Sequence, residues 1–188
     1  MRFIAKIEFE DVLEAFYREH STELAHDENT NPEAERALNL ANAQMGEWRK
    51  ALLRREDILN VILPWHISCG GKTELVPKSG MAVGQAVAKI ARLGEAFARH
   101  NPVCFQKIQR MGRLPFTPLF LSTKAIGKDD YWGLEKKEGL VHIDGLHRMI
   151  AWELSGRLSG EVEVEAYVAK PVAVEHKIND VRLTKTRQ

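Results

Sequence analysis

The pattern of apolar and polar residues predicts helices over most of the first half of the chain. Residues 2–9 largely alternate apolar and charged side chains, which predicts a strand with one buried face. Asp11 can cap a following helix, whose apolar positions recur at helical spacing to about residue 25. A second helix is predicted over residues 32–56, because Pro32 suits a first helical turn and an apolar stripe follows it.

An irregular stretch separates this second predicted helix from a third. The apolar residues 58–67 contain Pro64, which removes a backbone donor, and they lead into Ser68, from which a loop is expected to run to Gly80. The third helix is predicted over about residues 81–99, where apolar residues return at helical spacing. It is expected to stop before Pro102, because the residue preceding a proline avoids the helical conformation.

Beyond residue 113 the helical periodicity gives way to short extended runs. A turn-rich stretch between the first two runs predicts a hairpin with an irregular insertion. The predicted order is strand, strand, helix and strand, over residues 118–123, 140–143, 146–154 and 161–168. We therefore expect a mainly helical N-terminal section with a short first strand, residues 1–113, and an α+β core with a loosely held polar tail, residues 114–188.

Composition and charge narrow the class of protein. The chain has 188 residues, of which 44% are hydrophobic and 28% charged, as is typical of a globular domain. Lys and Arg total 27 against 26 Asp and Glu, so the net charge of +1 makes nucleic acid an unexpected partner. Two cysteines favour a reducing compartment, and no run of about 20 apolar residues predicts a membrane span, so we expect a cytoplasmic protein.

The residue types of a phosphate site are concentrated where a predicted strand runs directly into a helix through Gly145. The first backbone N–H groups of that helix have no intrahelical partners, and the helix dipole favours an anion there. Arg148 can add a bidentate contact, and His147 a proton or a hydrogen bond. Asp144 can hold a metal ion, orient His147 or accept a proton. The alternative from the residues alone is an ordinary helix start, with Asp144 as the cap.

The segment Asp144-Gly145-Leu146-His147-Arg148 resembles the strand-to-helix turn of the ParB/sulfiredoxin-like superfamily. The resemblance covers about the C-terminal 60 residues, whose predicted order of elements follows the core of that superfamily. It is closest to the branch of small-molecule kinases acting on free serine, whose turn reads Asp-Gly-His-His-Arg and differs only at Leu146. The resemblance implies an α+β fold in which the helical section packs on a small mixed sheet. It also implies that Gly145, Leu146, His147 and Arg148 bind nucleotide phosphates.

The same resemblance implies a chemistry. Asp144 and His147 would be catalytic, and Glu74 is the kind of carboxylate that such a kinase brings to the acceptor hydroxyl. The cofactor would be ATP or ADP with Mg²⁺, and the substrate a small hydroxyl-bearing or amino-acid-like molecule. Two alternatives remain open: a regulatory module that binds a nucleotide or anion without catalysis, and a DNA-associated protein.

Other chemistry-bearing residues give weaker patterns. The loop Ser68-Cys69-Gly70-Gly71-Lys72-Thr73 lacks the spacing of a phosphate-binding loop. His66 and Cys69 stand three residues apart, but without a second pair at zinc-finger spacing they do not predict a zinc site. Cys104, beside Phe105, is typical of a core residue. We therefore expect no metal held by these side chains, and no haem, flavin or zinc.

Overall fold

A computed structural model describes residues 1–20, 31–67 and 74–172, in which strands and helices are interspersed along the chain. The strands are β1 (Arg2–Ile7), β2 (Gly46–Leu53), β3 (Ile62–Leu63), β4 (His66–Ile67), β5 (Glu74–Val76), β6 (Met81–Ala82), β7 (Leu119–Lys124), β8 (Glu138–Asp144) and β9 (Val164–Pro171). The helices are α1 (Phe9–Glu19), α2 (Asn31–Met45), α3 (Arg55–Leu59), α4 (Val83–Leu93), α5 (Glu95–His100), α6 (Pro102–Met111), α7 (Asp129–Trp132) and α8 (Leu146–Leu154).

Within the described residues, a seven-stranded mixed sheet has the order β1-β2-β9-β7-β8-β3-β6. Its centre is β7, which pairs parallel with β9 and antiparallel with β8. A separate pair, β4 and β5, stands outside this sheet. The mixture of helices with a mixed sheet confirms the predicted α+β class.

Helices cover both faces of the large sheet, so the molecule has two apolar cores. One core lies under α4, α6 and α8, and the other under α1 and α2. Side chains alternate between the faces of a strand, so Leu119 and Leu121 of β7 enter the first core while Phe120 enters the second. The helix α8 packs on the first of these two faces, and it begins directly after the end of β8.

The predicted helix over residues 32–56 is wrong in its second half. The helix α2 ends at Met45, and Gly46 adopts a φ of +74°, a conformation that ends a helix readily because glycine has no Cβ. Residues 46–53 form β2 instead, which pairs antiparallel with both β1 and β9. Pairing on both edges outweighs the helical preference of this segment, which sequence periodicity does not reveal.

The third predicted helix is also divided. Met81 and Ala82 form the short strand β6, α4 starts at Val83, and Gly94, with a φ of +51°, separates α4 from α5. The loop expected to run to Gly80 contains the strand β5. Only the prediction of α8 over residues 146–154 is reproduced to the residue.

Strands from the N-terminal section contribute more to the sheet than the sequence suggested. Among the described residues, β1, β2, β3 and β6 precede residue 113 and belong to the same sheet as the C-terminal strands. The end of the first predicted helix and the predicted C-terminal tail from residue 173 lie outside the described residues. No helix in the described part of the chain is long and apolar enough to cross a membrane.

Candidate functional site

The turn between β8 and α8 is built around Gly145. This glycine has a φ of +113°, and a Cβ placed on it would lie 2.5 Å from Cδ2 of the core residue Leu119. Both facts require glycine, because other residues rarely adopt that conformation and the space is filled. The Leu146 N–H, first in the helix, donates to Nε2 of His142 at 3.0 Å. The chain thus partly satisfies its own helix N-terminus.

A cavity of about 470 Å³ lies beside this turn. Its walls come from α2, the segment around β4, the region of α7 and the β8–α8 turn. Its polar and charged side chains include His66, Lys128, Asp130, His142, Asp144 and His147. The volume is that of a small-molecule site.

Arg148 lies away from this cavity, although the sequence suggested a ligand contact. It is 8% exposed, and its guanidinium donates hydrogen bonds to the carboxylate of Asp144 and to the hydroxyl of Thr117. His20 Nε2 lies 3.4 Å from the same Asp144 carboxylate. Burial raises the pKa of Asp144, but the Arg148 charge and the hydrogen bond and charge of His20 outweigh it, so the pKa lies well below its usual range. Asp144 is therefore ionised.

His142 also lines the cavity, although the sequence pattern did not predict it as a site residue. Because its Nε2 accepts the Leu146 N–H, the neutral ring carries its proton on Nδ1. That Nδ1 is buried and has no hydrogen-bond partner among the described residues. Burial lowers the pKa of His142 to about 4, so the ring stays neutral. The alternation of β8 was the signal that the sequence offered, since it places His142 and Asp144 on the same side of the strand.

His147 is directed at a cysteine from another helix. Its Nε2 lies 3.2 Å from Sγ of Cys104 in α6, and the same sulfur lies 3.7 Å from Nε2 of His66 in β4. Burial lowers the pKa of His147 to about 3, and the neighbouring His66 and Lys107 contribute. The structure thus places His66 beside Cys104 and His147, two residues that are distant from it in sequence.

The remaining predicted residues are divided between the cavity and its surroundings. Leu146 lines the cavity, whereas Gly145 supports the turn behind it. Glu74 begins β5 and accepts a hydrogen bond from the Trp65 indole at 2.5 Å, and it is not part of the cavity wall. The loop of residues 68–73, including Cys69, lies outside the described residues.

Comparison with known proteins assigns the chain to a family but not to an activity. The model of DUF6309, a family of unknown function, matches residues 1–186, so the chain belongs to that family. No curated protein and no solved structure matches the chain. Function must therefore be argued from the site.

Proposed function

We propose that the protein is an enzyme that binds a nucleotide with Mg²⁺ in the cavity and transfers a phosphoryl group to a small hydroxyl-bearing acceptor. The observation that carries the proposal is a cavity lined by both the ionised Asp144 and His142, whose buried Nδ1–H has no hydrogen-bond partner among the described residues. An unsatisfied buried donor costs about 1–3 kcal/mol, and an acceptor atom of a ligand would remove that cost. Phosphate oxygens are strong acceptors.

The charges around the cavity favour a ligand that arrives with a divalent cation. The carboxylates of Glu33, Asp130 and Asp144 border the cavity, and Lys128 already pairs with two of them. A bare polyphosphate would meet net negative charge there. Carboxylate oxygens are the ligands that Mg²⁺ prefers, and they can bind it together with phosphate oxygens.

In this proposal Asp144 orients the acceptor hydroxyl. Its lowered pKa makes it a weak base, so it takes the proton only once the new bond to phosphorus has made that oxygen strongly acidic. The Asp144 carboxylate is held by Arg148 and faces the cavity, so it is both oriented and ionised. In the transfer, the bond from the terminal phosphorus to its bridging oxygen breaks and a bond to the acceptor oxygen forms. The acceptor proton passes to Asp144, and the nucleotide leaves with one phosphate fewer. The proposal assigns no proton transfer to His147, whose Nε2 is directed at Cys104.

Asp144→Asn tests the proposal. The change keeps the size of the side chain and removes its charge, so we expect turnover to fall by about 10²-fold or more while nucleotide still binds. Because the change also removes the charge that pairs with the buried Arg148, the stability of the variant is measured by denaturation, and turnover is compared at a temperature where both proteins are folded. Binding of ATP and ADP with and without Mg²⁺ would be followed by calorimetry. Turnover would be followed by ³¹P NMR, with free amino acids as the first acceptors. Asp129→Asn, an exposed carboxylate in the neighbouring α7, is the matched control and should retain full activity.

The outcomes separate three functions. Nucleotide consumption that requires an acceptor and depends on Asp144 supports the kinase-like enzyme. Binding without consumption by any acceptor would replace it with the regulatory module. If neither nucleotide binds in the presence of Mg²⁺, the hypothesis that the β8–α8 turn and its cavity bind nucleotide phosphates is wrong.

A further inference from the structure

Three side chains from distant parts of the sequence meet beside the cavity in an arrangement typical of a metal site. We propose that His66, Cys104 and His147 together bind one divalent cation of the zinc type. The inference does not rest on the proposed function, since the metal would be held by a different set of side chains from those that recognise a phosphate.

The distances among the three ligand atoms carry the proposal. Sγ of Cys104 lies 3.2 Å from Nε2 of His147 and 3.7 Å from Nε2 of His66, and all three atoms lie within 4.8 Å of one another. Zinc bonds of about 2.3 Å to sulfur and about 2.0–2.1 Å to nitrogen, at tetrahedral angles, separate ligand atoms by about 3.3–3.6 Å. Small side-chain shifts would therefore suffice to form the site.

The orientation of the rings supports convergence on one point. The imidazoles of His66 and His147 are related edge to face, with centroids 5.2 Å apart and an interplanar angle of 78°. This arrangement directs an Nε2 from each ring at the same sulfur. The side chains come from β4, α6 and α8, and their ligand atoms already lie close together, so little has to be ordered when a cation binds.

The chemistry of the donors selects the class of cation. One thiolate and two imidazoles form a borderline-soft set that suits zinc, cobalt or copper, whereas magnesium and calcium prefer oxygen ligands. His66 and His147 line the cavity while Cys104 lies buried behind them. Three protein ligands with one side facing a cavity is the arrangement of zinc sites that keep a coordination position for water or substrate.

A hydrogen-bonded cluster is the alternative interpretation of the same distances. A thiol can donate to one imidazole and accept from another, which would also bring the three groups together. The two interpretations differ in what a cation does. Only a metal site is strongly stabilised when zinc is added, and only a metal site gives a sulfur-to-metal electronic transition.

Cobalt substitution of the whole chain distinguishes them. The reduced protein, freed of metal with a chelator, would be titrated with Co²⁺ alone. We expect about one equivalent to bind, with the visible bands of tetrahedral cobalt and a near-ultraviolet thiolate-to-cobalt band. Cys104→Ser should abolish the thiolate band, and His147→Gln should weaken cobalt binding at least tenfold. His100→Gln, an exposed histidine at the end of α5, is the matched control and should leave the spectrum unchanged.

A measurement on the unaltered protein keeps the proposal falsifiable if a variant fails to fold. Competition with a chromophoric chelator should give a zinc dissociation constant below about 10⁻⁷ M, as sites of this type do. Zinc should also raise the melting temperature of the wild type. A zinc dissociation constant above about 10⁻⁷ M, or a thiolate-to-cobalt band that survives Cys104→Ser, would overturn the proposal. None of these measurements uses a nucleotide. A negative result for the metal site therefore leaves the phosphoryl-transfer proposal unaffected, and a negative result for nucleotide binding leaves the metal proposal unaffected.

Discussion

The two sides of the first turn of α8 differ in how far the chain satisfies its own polar groups. On one side, Arg148 is buried, and its two terminal guanidinium nitrogens donate one hydrogen bond each, to Thr117 and to Asp144. On the other side, His142 and His147 line a cavity, and the Nδ1 of His142 is left without a partner in the described structure. The side chains around this turn thus differ, because Arg148 is bonded within the protein while His142 and His147 border the cavity.

This difference changes the expectation for the arginine. From its place in the sequence, Arg148 was expected to bind a phosphate directly. Its burial and its protein partners instead favour a role in positioning Asp144 and bracing the turn. A motif that resembles a binding turn therefore cannot assign each side chain to the ligand, because two adjacent helical positions project in different directions.

Arg148→Ala is the strongest test of the buried side. We expect the free energy of unfolding to fall by about 3 kcal/mol, because the change leaves the Asp144 charge largely buried and without its main partner. Urea denaturation would measure the loss. Arg99→Ala is the matched control, since Arg99 also lies four residues after its acidic partner, Glu95, but both side chains are exposed.

The control should cost less than about 0.5 kcal/mol, as exposed ion pairs usually do. Equal effects of the two variants would contradict the structural role of Arg148. In that case the direct contact with a ligand would become the better interpretation.

Gly145→Ala should have the next largest effect. Gly145 and Gly156 lie at the two ends of α8 with φ values of +113° and +71°, so alanine strains the backbone at both. Only at Gly145 would the new Cβ also collide, with Leu119, whereas nothing lies within 4 Å at Gly156. We expect losses of about 2–3 kcal/mol at Gly145 and about 1 kcal/mol at Gly156, measured by denaturation. Similar losses at both ends would show that Leu119 moves aside without cost.

Thr117→Val should have the smallest effect of the three. The change keeps the shape of the side chain and removes one hydrogen bond to Arg148, so a loss of about 1 kcal/mol is expected. Combining it with Arg148→Ala gives a double-mutant cycle. If the hydroxyl acts through the guanidinium, Thr117→Val should add nothing in the Arg148→Ala background. A full additional loss there would contradict the coupling.

Elements with purely local determinants were the ones that the sequence predicted well. The helix after Gly145 was predicted over its full length, because a strand pattern, a glycine and a helical pattern follow one another directly. The first strand was also predicted, although it ends at Ile7 rather than at Phe9. The prediction of a helix at residues 46–53 was wrong because that segment depends on distant residues: it is a strand only because β1 and β9 flank it.

The sequence by itself determined the strand-to-helix turn and the placement of Asp144, His147 and Arg148 within it, because neighbours along the chain set that geometry. Only the tertiary structure decided what each side chain meets. It buried Arg148 against Thr117, and it brought Cys104 to His66, 38 residues away in sequence, and to His147, 43 residues away. Contacts over such separations depend on how the sheet orders its strands and on which helices cover each face, and no local pattern of residues encodes that.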